Sequence, residues 1–168
     1  MRVDENETQT IAVLFTRYSN IFSNCIYWLS GKGYTHASIA LADDSEYYYS
    51  FNFKGFKKEY YKNKKCRESI IYKLEIPQED VTKMAAKIKE LELKKEQLTY
   101  ARLSLLLSII KIPFKSKNSY FCSQFVAEIL QISRQISLEK KAIFYLPNQL
   151  EMKLSQQKMI KAAIKDPI

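Results

Sequence analysis

Three glycines, four prolines, three cysteines and one histidine in 168 residues rule out several kinds of protein at once. So little glycine and proline leaves no low-complexity linker and no composition break, and no internal repeat is visible, so the chain reads as a single domain over 1–168. Cys25, Cys66 and Cys122 are odd in number and widely spaced, with no CxxC pair, and a lone histidine cannot complete a zinc site. Neither a disulfide scaffold nor a structural metal is expected, and no cofactor is called for. Long apolar runs are missing too. The most apolar stretch, Leu103 to Ile110, is stopped by Lys111 and Pro113 well short of the ~20 residues that span a bilayer, so it predicts a buried helix. The opening residues, Met1 to Glu7, are polar and acidic where a secretory signal needs a basic start and an apolar core, which points to a cytoplasmic protein with reduced thiols.

What the chain has is 46% apolar residues, enough for one sizeable core, and 27 basic against 18 acidic side chains, a net +9. Ile11 to Thr16 reads as a strand, and Ile21, Phe22, Cys25, Ile26 and Leu29 recur at helical spacing before Gly31 and Gly33. Ala37, Ile39 and Leu41 alternate with His36, Ser38 and Ala40, a strand with His36 and Ser38 on one face. After the Asp43-Asp44-Ser45 turn, the aromatic segment Glu46 to Phe53 pairs with it as a hairpin. A basic connection through Lys57, Lys58, Lys62, Lys64 and Lys65 leads to a strand over Ser69 to Ile76. Val81, Met84, Ala85, Ile88 and Leu91 mark an amphipathic helix, and a further helix starting near Ser119 buries Phe125, Val126, Ile129 and Leu130. From Pro147 one or two more helices end in a basic tail, Lys158 to Lys165, beyond an ordered core of about Ile11 to Leu154. The fold class is α+β, a small antiparallel sheet packed against helices.

Two residues carry a chemical possibility. With Asn118 or Ser119 as cap, Cys122 falls in the first turn of its helix, where unpaired N–H groups and the helix dipole favour a thiolate. The same N–H groups can face the oxyanion of a tetrahedral intermediate. His36, the only imidazole, is the one available base. A third polar group usually orients such a base, and the neighbouring aromatic strand offers Ser50, which its distance from the turn favours, or Asn52. Cys25, in an apolar helical stripe, and Cys66, in a basic loop, are read as structural.

The order of an aliphatic strand, a helix, Thr35-His36-Ala37-Ser38-Ile39-Ala40 and then Phe121-Cys122-Ser123-Gln124-Phe125-Val126 resembles the circularly permuted NlpC/P60 branch of the papain-like thiol hydrolases. Lipid-acting acyltransferases related to lecithin:retinol acyltransferase share that order. The resemblance runs from about Ile11 to Leu154 and includes Leu146-Pro147-Asn148-Gln149-Leu150. It implies a permuted papain-like fold with Cys122 as nucleophile and His36 as base. The family often has an acidic or amide residue where this chain has Ser50, which leaves the third position open. Tyr100 and Tyr120, with Ser123 beside the nucleophile and Ser38 beside His36, are the substrate-binding candidates. The implied reaction is hydrolysis or acyl transfer at an amide or ester of a peptide or lipid.

The charge supports a rival of another class, a non-catalytic basic module for nucleic acid or an anionic membrane surface. Tyr47, Tyr48, Tyr49, Phe51 and Phe53 followed by lysines have the composition of a stacking surface, but no RNP, zinc-finger or helix-turn-helix signature backs nucleic acid.

Overall fold

The computed structural model describes residues 7–29, 31–52, 54–63, 65–100 and 119–168. In chain order these hold β1 (Thr8–Arg17), α1 (Ile21–Leu29), β2 (His36–Ala40), β3 (Tyr47–Asn52), β4 (Gly55–Tyr60), β5 (Glu68–Pro77) and α2 (Gln78–Leu93). The short β6 (Thr99–Tyr100) and β7 (Ser119–Tyr120) follow, then α3 (Cys122–Leu130), α4 (Pro147–Leu154) and β8 (Ile160–Lys165). The molecule is α+β: a six-stranded antiparallel sheet, order β4-β3-β2-β1-β5-β8, with β6 and β7 as a separate parallel pair.

Ile11 to Phe15 are buried on both faces of β1, as suits a strand at the middle of the sheet. One face carries the large residues Val13, Phe15, Ile39, Phe51, Leu74 and Ile76, and these meet Val81, Met84 and Ile88 of α2 and Phe125, Val126 and Ile129 of α3. Each such side chain contributes about 1.5–3 kcal/mol on leaving water. The opposite face is built from smaller side chains, Ala12, Leu14, Ala40 and Ile71, with Tyr48.

Several expectations need correction. The basic tail is not helical: Ile160–Lys165 is the edge strand β8, bonded to β5, which carries the sheet past the expected end of the core. The basic connection begins as strand β4, where Lys57 lies opposite Ser50 and Lys58 opposite Tyr49. Cys25 is exposed rather than part of an apolar stripe; among the described side chains of α1, Ser23 and Ile26 turn inward. Ala85 is likewise on the outer side of α2. The helix expected over Leu103 to Ile110 lies outside the described residues.

Candidate active site around His36 and Cys122

β2 begins at His36 because the chain before it is pinned to β1. The Thr35 N–H donates to the Thr16 carbonyl at 2.9 Å, and the Tyr18 N–H donates to the Thr35 hydroxyl at 3.1 Å. The Tyr18 ring then lies 5.7 Å from the imidazole, centroid to centroid. Upstream, Gly31, Lys32 and Gly33 all have positive φ (92°, 68° and 114°), which reverses the chain between α1 and β2. Asn148 of α4 clamps this turn, donating from Nδ2 to the Lys32 carbonyl at 2.9 Å. A Cβ on Gly33 would come within 3.0 Å of the Asn148 Cβ, so the close approach requires glycine.

α3 starts at the sulfur-bearing residue itself. Its N-cap is Phe121, extended at φ −108° and ψ 162°, with no side-chain cap; Ser119 belongs to β7 and Asn118 is outside the described residues. Packing decides this start: the Phe121 side chain is buried against Ile26 of α1 together with Ile143 and Leu146. Cys122 is therefore the first helical residue, at the end of the helix where backbone N–H groups have no intrahelical acceptor.

Phe51 fixes where this helix end sits on the sheet. Its ring lies 5.0 Å from that of Tyr120 and 5.3 Å from that of Phe125, the residues flanking Cys122. Phe51 is the penultimate residue of β3, and the pairing of Ile39 with Tyr49, continued along the strands, sets Ala37 opposite Phe51 and His36 opposite Asn52. The head of α3 and the start of β2 are thus at one end of the sheet. α1, which joins β1 to β2, closes that end through the Ile26–Phe121 contact. Both chemical groups are largely covered, His36 at 9% and Cys122 at 2% exposure.

The alternation along β2 holds: His36 shares a face with Ser38 and Ala40, while Ala37 and Ile39 go to the face on which α3 packs. His36 is the terminal residue of its strand, so its ring is at the rim of the sheet. Thr16 is the partner of both His36 and Ser69, which gives an in-register row Ser69–Thr16–His36 across three strands. Ser38 and Ser50 lie on the same face one step further in. The hydroxyl oxygens of Thr16, Ser38, Ser50 and Ser69 are buried and have no hydrogen-bond partner among the described residues. The same is true in the first turn of α3 of Ser123 Oγ and Gln124 Oε1. An unpartnered buried polar group costs about 1–3 kcal/mol, so the chain concentrates this cost around its histidine and in the first turn that begins with Cys122.

The sequence candidates divide accordingly. Ser50 does not hold the imidazole, since its hydroxyl bonds to no described residue, His36 included. Asn52 is occupied elsewhere: Nδ2 donates to Glu59 at 3.0 Å and Oδ1 accepts from the Lys54 N–H at 2.8 Å. Tyr120 is a buried wall residue against Phe51, its phenol pushed up to about 12 by burial first and by Glu128 next. Ser38 and Ser123 are fully buried, and the Tyr100 backbone pairs with Tyr120 in the β6–β7 ladder. Sequence reasoning missed Tyr18 against the imidazole and Thr16 across from it. The strand expected over Ile11 to Thr16 contains Thr16, and counting the antiparallel register from His36 reaches it. No signal pointed to Tyr18. Among the described residues no cluster of His, Cys, Asp and Glu could hold a metal ion.

Compared with protein-family models, curated proteins and solved structures, the chain matches none.

Proposed function

We propose that this chain is a papain-like thiol hydrolase or acyltransferase of the permuted NlpC/P60 type, acting on an amide or ester through an acyl-enzyme on Cys122. The observation that supports this reading is that the only imidazole, at the rim of the sheet, and the first residue of α3 lie at the same end of it, with Ala37 beside His36 on the face that α3 covers. In the reaction, Cys122 Sγ attacks the carbonyl carbon as His36 takes the thiol proton, and the carbonyl electron pair moves onto oxygen. The first-turn N–H groups of α3 meet that oxyanion, each such donor being worth about 2.7–4 kcal/mol in other enzymes. Collapse expels the amine or alcohol, which receives the proton from His36, and leaves a thioester. Water or an acceptor hydroxyl or amine, deprotonated by His36, then attacks the thioester and restores the thiol. The substrate is a peptide amide or a lipid acyl amide or ester.

We place the reaction in the cytoplasm, the compartment in which a nucleophilic thiol stays reduced. No helix among the described residues is long and apolar enough to cross a membrane.

Mass spectrometry of the full chain after incubation with p-nitrophenyl acyl esters tests the proposal. An acyl mass on the peptide containing Cys122, absent from Cys122→Ala and strongly reduced in His36→Ala, is expected. Ester turnover that survives undiminished in a folded Cys122→Ala variant would overturn it.

A further inference from the structure

The outer side of α1 has no role in the chemistry above, yet it carries the only tryptophan of the chain. Trp28 is 67% exposed, its ring meets Tyr27 edge-on at 5.7 Å, and the Lys32 ammonium sits 5.1 Å from its centroid. Cys25 and Asn24, on the same outward side, are exposed and uncharged. From Arg17 to Leu41 there is no Asp or Glu at all, and the formal cations of this stretch are Arg17 and Lys32. A third cation is fixed beside it, because Arg67 Nε donates to the Ser19 hydroxyl at 2.8 Å immediately before α1. The Arg17 guanidinium covers the Tyr27 ring at 3.9 Å and is ion-paired with Glu68 at 3.0 Å, so Lys32 and Arg67 are the cations this face offers.

An exposed indole rimmed by cations, on a helix free of acidic side chains, has the chemistry of an interfacial contact. The ring enters the headgroup and acyl boundary while the cations meet anionic headgroups. A neutral surface would use the indole alone, whereas an anionic one also meets Lys32 and Arg67, and the net +9 adds long-range attraction. We propose that the Trp28 face of α1 docks the protein onto an anionic lipid bilayer. Ile26, one helical face away, packs on Phe121 next to Cys122, so docking would bring the head of α3 to the membrane surface. The docking itself does not depend on the thiol chemistry and is tested without it.

Because Trp28 is the only indole, its emission reports on this face alone. The full chain is titrated with phosphatidylcholine vesicles with and without phosphatidylserine, at low and at physiological salt. A blue shift and protection from iodide with the phosphatidylserine vesicles, weakened by salt, are expected. Lys32→Glu should weaken sedimentation with these vesicles at least about fivefold, and Trp28→Ala should abolish most of it, both variants keeping the wild-type circular dichroism. Unchanged emission on anionic vesicles, equal binding to neutral ones, or a shift only with a single-stranded oligonucleotide or an acidic peptide would each overturn the proposal.

Discussion

Replacing Phe51 by alanine should detach the head of α3 from the sheet. The side chain is fully buried and its ring contacts Phe56 at 5.5 Å, Tyr120 at 5.0 Å and Phe125 at 5.3 Å. Truncating a buried phenylalanine costs about 3–5 kcal/mol, and loss of three aromatic pairs, each worth about 0.5–1.5 kcal/mol, puts this site in the upper half of that range. For a chain of this size the melting temperature should fall by roughly 6–20 °C. Urea unfolding followed by circular dichroism measures the stability, and alkylation of Cys122 in the still-folded variant measures the position of α3. Phe51→Leu, which keeps most of the volume, should lose much less. A Phe51→Ala chain destabilised by under about 1 kcal/mol, with Cys122 reacting as before, would refute the view that Phe51 anchors the helix head.

Ser50→Ala should leave stability unchanged or raise it, because it removes a buried hydroxyl with no described partner, and it should leave Cys122 labelling intact; a loss above about 1 kcal/mol in urea would contradict this. Asn148→Ala should cost about 1–3 kcal/mol by freeing the Lys32 carbonyl and loosening the turn before His36, and wild-type stability in thermal melts would count against that clamp. Burial above all pushes Tyr34 and Tyr120 up to about 12, and it raises Tyr48 and Tyr72 as well. Unfolded tyrosines titrate near 10, so between about pH 10 and 12 the native state holds protons the unfolded state has lost. This stability is complete below about pH 10 and drains away as pH rises; a tyrosinate absorbance titration in which all twelve tyrosines ionise together near 10 in the folded chain would contradict it.

Elements whose sequence pattern has one physical solution were legible. The β2 alternation and the α3 stripe of Phe125, Val126, Ile129 and Leu130 appear as expected, since their large apolar side chains recur at strand and helix spacing and so share one face. β8 was misread because Ile160 to Lys165 contains two alanines and two lysines that suit a helix as well as an edge strand, and pairing with β5 decides between them. The start of α3 depended on where Phe121 is buried, which overrode Ser119 as a cap. Cys25 shows the same limit: a nine-residue helix has too few turns for its stripe to fix its own rotation. At the candidate site Cys122 and His36 were readable as candidates, but the third position was not. Orientation of an imidazole depends on which partners the fold leaves within reach, and Ser50 and Asn52 turned out to be silent or occupied.

The proposed chemistry requires coupling between the Cys122 thiol and the His36 imidazole. With Cys25→Ser and Cys66→Ser in place, the rate of Cys122 alkylation by iodoacetamide is followed against pH with His36 intact and with His36→Ala. Reaction already fast well below the ordinary thiol range of about 8.5, and moved up to that range when the imidazole is removed, is the expected result. Superimposable profiles for the two chains would contradict it.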